Sequence, residues 1–229
     1  MKLVIGNRRY SSWSLRAWLA CRQSGLSFEV EQVRLFGPDW DEVRRTHPGL
    51  APSAGKVPVL WDGDAVVWDS LAILEYLADR VGRERFWPRD AAAAGLARSM
   101  VAEMHSSFAA LRSALPFNLG RDGVALAVDA AVDAPMNAAV TGDINRVLTL
   151  WAEARARFGE GGPYLFGTFG AADIAFAPVA LRLISYGVAL PGFAEGYVAI
   201  INEHAWIATW RDAALAEPWR VARYESPAA

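Results

Sequence analysis

Val57-Pro58-Val59-Leu60-Trp61, then Asp62-Gly63-Asp64, then Ala65-Val66-Val67-Trp68, and at once Asp69-Ser70-Leu71-Ala72-Ile73: this stretch decides the fold. It reads as two short apolar strands joined by a turn, with the glycine where a hairpin needs it, running directly into a helix over Ser70 to Arg80. A proline cannot donate to a central ladder, so Pro58 belongs at a strand start or an edge. Its preceding bond can adopt cis geometry at small energetic cost. Working outward, Lys2 to Ile5 is a short apolar strand. Residues 13 to 24 carry a helical stripe of Leu15, Trp18, Leu19 and Arg22, with Gly25 just past the end. Phe28 to Val33 alternates as a strand does, and Asp39 to Thr46 is a short polar helix stopped before Pro48. The first eighty residues therefore read β-α-β, a helix, then β-β-α.

The character changes after that. Residues 81–90 read as a linker, and beyond them the chain is alanine-rich and helical to its end. Breaks fall near Pro116, Asp122-Gly123, Pro135, Gly159 to Pro163 and Pro191-Gly192. The expected organisation is a mixed-sheet domain over 1–80, a linker over 81–90 and an all-helical domain over 91–229.

Composition narrows the function classes. With 53% hydrophobic residues and ten tryptophans, the 229 residues can fill a substantial core, so disorder is excluded. Lys+Arg 23 against Asp+Glu 25 leaves a net charge of −2, without the basic stripe of a nucleic-acid binder. The single Cys21 excludes an internal disulfide framework and fits a reducing cytoplasm. The apolar start Leu3-Val4-Ile5 is ended by Gly6, Asn7, Arg8 and Arg9, a poor secretory signal, and no apolar run is long enough to span a bilayer. His47, His105 and His204 are too scattered for a metal site, and no cysteine pair supports one.

The chemistry-bearing residues cluster at helix starts. Ser11-Ser12-Trp13-Ser14-Leu15-Arg16 places hydroxyls where the first helix begins, and Asp69-Ser70 places an acid and a hydroxyl where the hairpin's helix begins. Helix N-termini attract carboxylates, and the same serines serve equally well as helix caps. With a Val-Pro peptide between them, these are the parts that hold a small zwitterionic peptide by its backbone and set its thiol beside a hydroxyl.

In that order and at that spacing the motifs resemble the glutathione S-transferase superfamily over essentially the whole chain. Ser11-Ser12-Trp13-Ser14-Leu15-Arg16 is similar to the Ser-Ser-Cys-Ser-x-Arg signature of the zeta class, Gly55 to Leu60 to the family's cis-proline segment, and Asp69-Ser70 to its acid-or-amide plus serine pair. Gly167-Thr168-Phe169-Gly170-Ala171-Ala172-Asp173-Ile174 is similar to its buried capping box, with Asp173 reaching back, Phe169 and Ile174 as a staple, and Gly170 where Ser or Thr is usual. The resemblance implies a thioredoxin-like domain followed by a helical bundle, glutathione as co-substrate, a cytoplasmic homodimer and a detoxification role.

It also implies roles. Ser11, or its neighbour Ser12, donates a hydrogen bond to the glutathione sulfur. A thiol with pKa near ~8.5 is mostly protonated at neutral pH, and lowering that value by about two units takes about 2.7 kcal/mol of preferential thiolate binding. Ser70 holds the γ-glutamyl carboxylate, Asp69 faces the α-amino group, Val57 beside Pro58 pairs with the cysteinyl backbone, and Lys56 meets the glycyl carboxylate. A pocket for a small hydrophobic electrophile is expected between the halves, from Trp13, Phe36 and Trp40 on one side and Met104, His105, Phe108, Arg112 and Phe117 on the other. For these, ordinary core or surface packing is the favoured reading and the pocket wall the second. The zeta isomerases carry Cys where Trp13 stands, so isomerase activity is not expected to transfer. Glutathione-dependent isomerisation or peroxide reduction on the same site, and a non-catalytic scaffold of the same fold, are the rival functions.

Overall fold

The computed structural model describes residues 1–121 and 134–225. Four strands form one sheet in the order β2-β1-β3-β4: β1 (Lys2–Ile5), β2 (Glu29–Gln32), β3 (Val59–Asp62) and β4 (Ala65–Trp68). β1 runs parallel to β2, with Lys2 opposite Glu29, and antiparallel to β3, with Leu3 opposite Leu60. β3 and β4 pair antiparallel from Val59 opposite Trp68 to Asp62 opposite Ala65, so Gly63 and Asp64 make the turn and Gly63 takes a φ of 59°. The Val57–Pro58 bond is cis, and the ladder begins only at Val59, past the residue that has no N–H to give.

The pleat sorts the strands. Leu3, Ile5 and Leu60 face one large core, whereas Val4 and Val59 face a smaller cluster with Val33, Leu35 and Leu50. On the large-core side lie α1 (Ser12–Ser24) and α3 (Ser70–Val81), through Leu15, Leu19, Ile73 and Leu77. The expected α1 stripe holds for Leu15, Trp18 and Leu19, but Arg22 stays exposed and lays its guanidinium over the Trp18 ring at 5.6 Å. Gly25 closes α1 at a φ of 72°. α2 (Trp40–Thr46) lies between β2 and β3 and buries no residue fully.

The rest is helical: α4 (Ala91–Ser106), α5 (Ala109–Ala114), α6 (Ala134–Phe158), α7 (Ala171–Ser185), α8 (Gly192–Glu203), α9 (Ala205–Ala216) and α10 (Ala222–Glu225). Pro135 is the second residue of α6, and Asp122-Gly123 lies outside the described residues. α7 is buried on nearly every side and packs on α1, so one continuous core runs from Leu3 to Ala214. Residues 81–90 are more than a tether. A 3₁₀ turn spans Arg83–Arg85, Phe86 and Trp87 are buried, and the Phe86 carbonyl accepts the Ala171 N–H at 2.8 Å.

That contact explains the glycine at the start of α7. A Cβ on Gly170 would sit 2.7 Å from the Phe86 carbonyl oxygen, so Ser or Thr cannot stand there without moving the backbone. The other half of the capping box is intact. Asp173 Oδ2 accepts the Gly170 N–H at 2.9 Å, and Oδ1 accepts the Leu165 N–H and the Tyr197 hydroxyl, both at 3.1 Å. Burial outweighs those three donors and pushes the Asp173 carboxyl up to about 6.

Candidate active site

A cavity of about 300 Å³ opens where the start of α1, the approach to β3 and the start of α3 meet, lined by Trp13, Ser53, Lys56, Val57, Pro58, Trp68, Asp69 and Ser70. All five residues expected to hold the peptide backbone are in this lining. Ser70 is buried as the first residue of α3. Asp69 is its N-cap: Oδ1 accepts the Leu71 N–H at 2.8 Å, and the backbone is held at a φ of 76°, a left-handed value that costs a non-glycine residue about 1–3 kcal/mol. Its other oxygen, Oδ2, lies 3.4 Å from His105 Nε2 on α4.

Two lining residues were not singled out from the sequence. Ser53 ends a 3₁₀ turn over Pro48–Ser53; its hydroxyl donates to the Lys56 carbonyl at 2.5 Å and accepts the Lys56 N–H at 3.1 Å, fixing the approach to Pro58. No local pattern marks that pairing. Trp68 is 48% exposed at the mouth of the cavity, and its place directly before Asp69 was the available signal.

Ser11 and Ser12 are buried beside the cavity but are not among its lining residues. Ser11 is the N-cap of α1, its Oγ accepting the Ser14 N–H at 3.3 Å. The Ser11 and Ser14 hydroxyls lie 2.8 Å apart and share a hydrogen bond, and Ser14 Oγ also accepts the Gly6 N–H at 3.0 Å. Ser12 Oγ accepts from Arg182 Nη2 on α7, and the Ser12 carbonyl accepts from Arg16 Nη1, both at 3.3 Å.

The expected electrophile wall divides. Trp13 lines the cavity, with His105 edge-on at 5.2 Å and Arg112 over its ring at 5.5 Å. Met104, Phe108 and Phe117 are buried in the large core. Phe36 and Trp40 pack on one another at 6.0 Å, and Phe36 also meets Tyr224 and Arg223 near the C-terminal end, away from the cavity lining. Cys21 is fully buried in the body of α1, where burial pushes its thiol up to about 12, so it offers no nucleophile.

The family model "Glutathione S-transferase, N-terminal domain" matches residues 10–80. Glutathione S-transferase 1 of Dianthus caryophyllus is 34% identical over 91 residues, 39% of this chain and 39% of that protein, so the match spans well under half of the relative's length. Among solved structures, a glutathione transferase homologue from Burkholderia with bound glutathione superposes with a TM-score of 0.67 at 20% identity, covering 94% of this chain and 98% of that one. A bacterial zeta-class maleyl pyruvate isomerase gives 0.67 at 22%, covering 96% and 100%, and the theta-class enzyme of Xanthomonas axonopodis with glutathione bound gives 0.61 at 21%, covering 94% and 97%. Residues 10–80 thus match the glutathione S-transferase N-terminal domain, and over 94% of its length the chain has the glutathione transferase fold.

Proposed function

We propose that the protein is a glutathione transferase that activates the glutathione thiol with the Ser11 hydroxyl, for attack on a small electrophile. The observation that carries this reading is the convergence of Lys56, Val57, Pro58, Asp69 and Ser70 with the start of α1 on one cavity. Ser70 and the first N–H groups of α3 offer donors to the γ-glutamyl carboxylate, Asp69 an acceptor to the α-amino group, and the Val57 backbone a partner for the cysteinyl amide. Lys56 meets the glycyl carboxylate.

The sulfur then lies at the start of α1, where helix N–H groups add partial positive charge. A hydroxyl has one hydrogen to give and two lone pairs to receive with. The Ser11 hydroxyl donates its one hydrogen to Ser14 Oγ at 2.8 Å, and to serve the sulfur it turns that hydrogen to the substrate while its oxygen keeps the Ser14 N–H. The Gly6 N–H continues to satisfy Ser14 Oγ when Ser11 turns away. The nucleophile is the glutathione sulfur; Ser11 stabilises its anion and forms no bond to the electrophile. The two-domain division at residues 81–90 and a homodimeric state are parts of the same reading.

Ultraviolet difference absorbance of the thiolate, followed as glutathione is titrated at several pH values, tests it. A thiolate signal that persists below the free thiol's pKa and is lost in Ser11→Ala is the expected result. Absence of the signal, together with no binding by calorimetry, refutes it in favour of a scaffold.

A further inference from the structure

Two guanidinium groups, one from each half of the chain, converge on Ser12. Arg16 (α1) donates to the Ser12 carbonyl, to the Ala175 carbonyl of α7 at 2.8 Å and to Met104 Sδ at 2.8 Å. Arg182 (α7) donates to Ser12 Oγ, to the Leu115 carbonyl at 2.9 Å and to the Pro178 carbonyl at 3.2 Å. They are 4% and 5% exposed. A third guanidinium, Arg112 of α5, is half-buried beside the same Trp13 ring that Arg16 covers at 4.7 Å.

Among the described residues no carboxylate forms an ion pair with any of the three. Buried arginines are ordinarily paired with an acid, because carbonyls and a thioether satisfy hydrogen bonds without neutralising charge. Burial, then Arg182 and Arg112, press Arg16 well below its ordinary value, and only the field of Asp69 opposes them. Arg182 is lowered to about 10 by burial and Arg112, with Tyr186 and Tyr224 acting the other way. His105, 3.4 Å from Asp69, faces the same Trp13 ring, and Arg121 lies over the Tyr186 ring at 4.5 Å.

We propose that Arg16 and Arg182 are positioning residues whose uncompensated charge, fixed around Ser12 at the start of α1, holds the sulfur of bound glutathione as a thiolate. The inference rests on the glutathione reading above and deepens it: the missing counter-ion of the arginine pair is the substrate's own sulfur anion. The proton leaves with solvent, and no other bond changes. The buried charges are screened weakly by salt, so the effect persists at high ionic strength.

The test is the pH at which half the bound thiol is ionised, read by thiolate absorbance, with S-methylglutathione affinity by calorimetry as the control that lacks an ionisable sulfur. In Arg182→Gln, whose amide still bonds one carbonyl, that pH rises by about one unit while S-methylglutathione binds as in the unaltered protein. Arg112→Glu, at a position less buried than Arg182, brings a carboxylate to the pair and moves it the same way even if Arg182→Gln fails to fold. A folded variant of either kind with an unchanged ionisation pH overturns the proposal and leaves the glutathione reading standing. An unaltered protein that binds neither glutathione nor S-methylglutathione overturns that reading, and the proposal with it.

Discussion

α7 carries a buried charge of each sign, one set in the turn that starts the helix and the other against the start of α1. Asp173, in its first turn, is 1% exposed and receives three protein donors. Arg182, near its last turn, gives its hydrogens to two carbonyls and a hydroxyl and has a second arginine for company. The carboxylate meets neutral donors only, but they belong to the turn that starts α7, so it serves the fold. The guanidinium likewise meets neutral groups only, but one of them is Ser12 at the start of α1, where an anion gains from an unanswered charge.

Breaking the carboxylate side produces the largest effect. Asp173→Ala strands the Leu165 and Gly170 N–H groups and the Tyr197 hydroxyl, and is expected to lower stability by about 4 kcal/mol in urea unfolding. The next largest concerns pH. The folded Asp173 carboxyl titrates near 6, above its unfolded value, so the native state binds the extra proton and stability falls as pH rises from about 4 through 6. Against Asp173→Asn, which has no such titration, that difference amounts to about 2 kcal/mol between pH 4 and pH 7. Parallel stability curves for the two proteins remove the assignment.

On the cavity side the effects are functional. Ser11→Ala is expected to reduce kcat/KM for conjugation about 100-fold, with a loss of about 1 kcal/mol in stability from the missing cap, measured by steady-state kinetics and thermal unfolding. A smaller effect is expected at the start of α3. Ser70→Ala is expected to weaken glutathione about tenfold in calorimetry, because one donor of several is lost. If Ser11→Ala changed stability alone, Ser11 would be a cap like Asp173, and the contrast between the two regions would disappear.

The sequence disclosed what depends on local pattern. The strands, their turn at Gly63, the helix after Asp69 and the cavity set from Lys56 to Ser70 all follow from alternation, turn chemistry and helix starts. It hid what depends on distant approach. Phe86 and Trp87 looked like linker residues because nothing nearby shows that the Phe86 carbonyl meets Ala171, and the same contact dictates Gly170. Met104, Phe108 and Phe117 carry the periodicity of an inward-facing wall, which does not distinguish a pocket from a core. Arg16 and Arg182 are separated by most of the chain, and only the packing of α1 on α7 brings both to Ser12.

The continuity of that core has a bearing on ancestry and engineering. A hydrogen bond ties the linker to α7, Arg16 crosses to Ala175, and side chains of both halves interleave from Leu3 to Ala214. The halves are therefore not interchangeable cassettes. A chimaera that grafts a foreign helical half after residue 90 inherits an unmatched seam, so new specificity is acquired more readily by altering single side chains around Trp13 than by recombination.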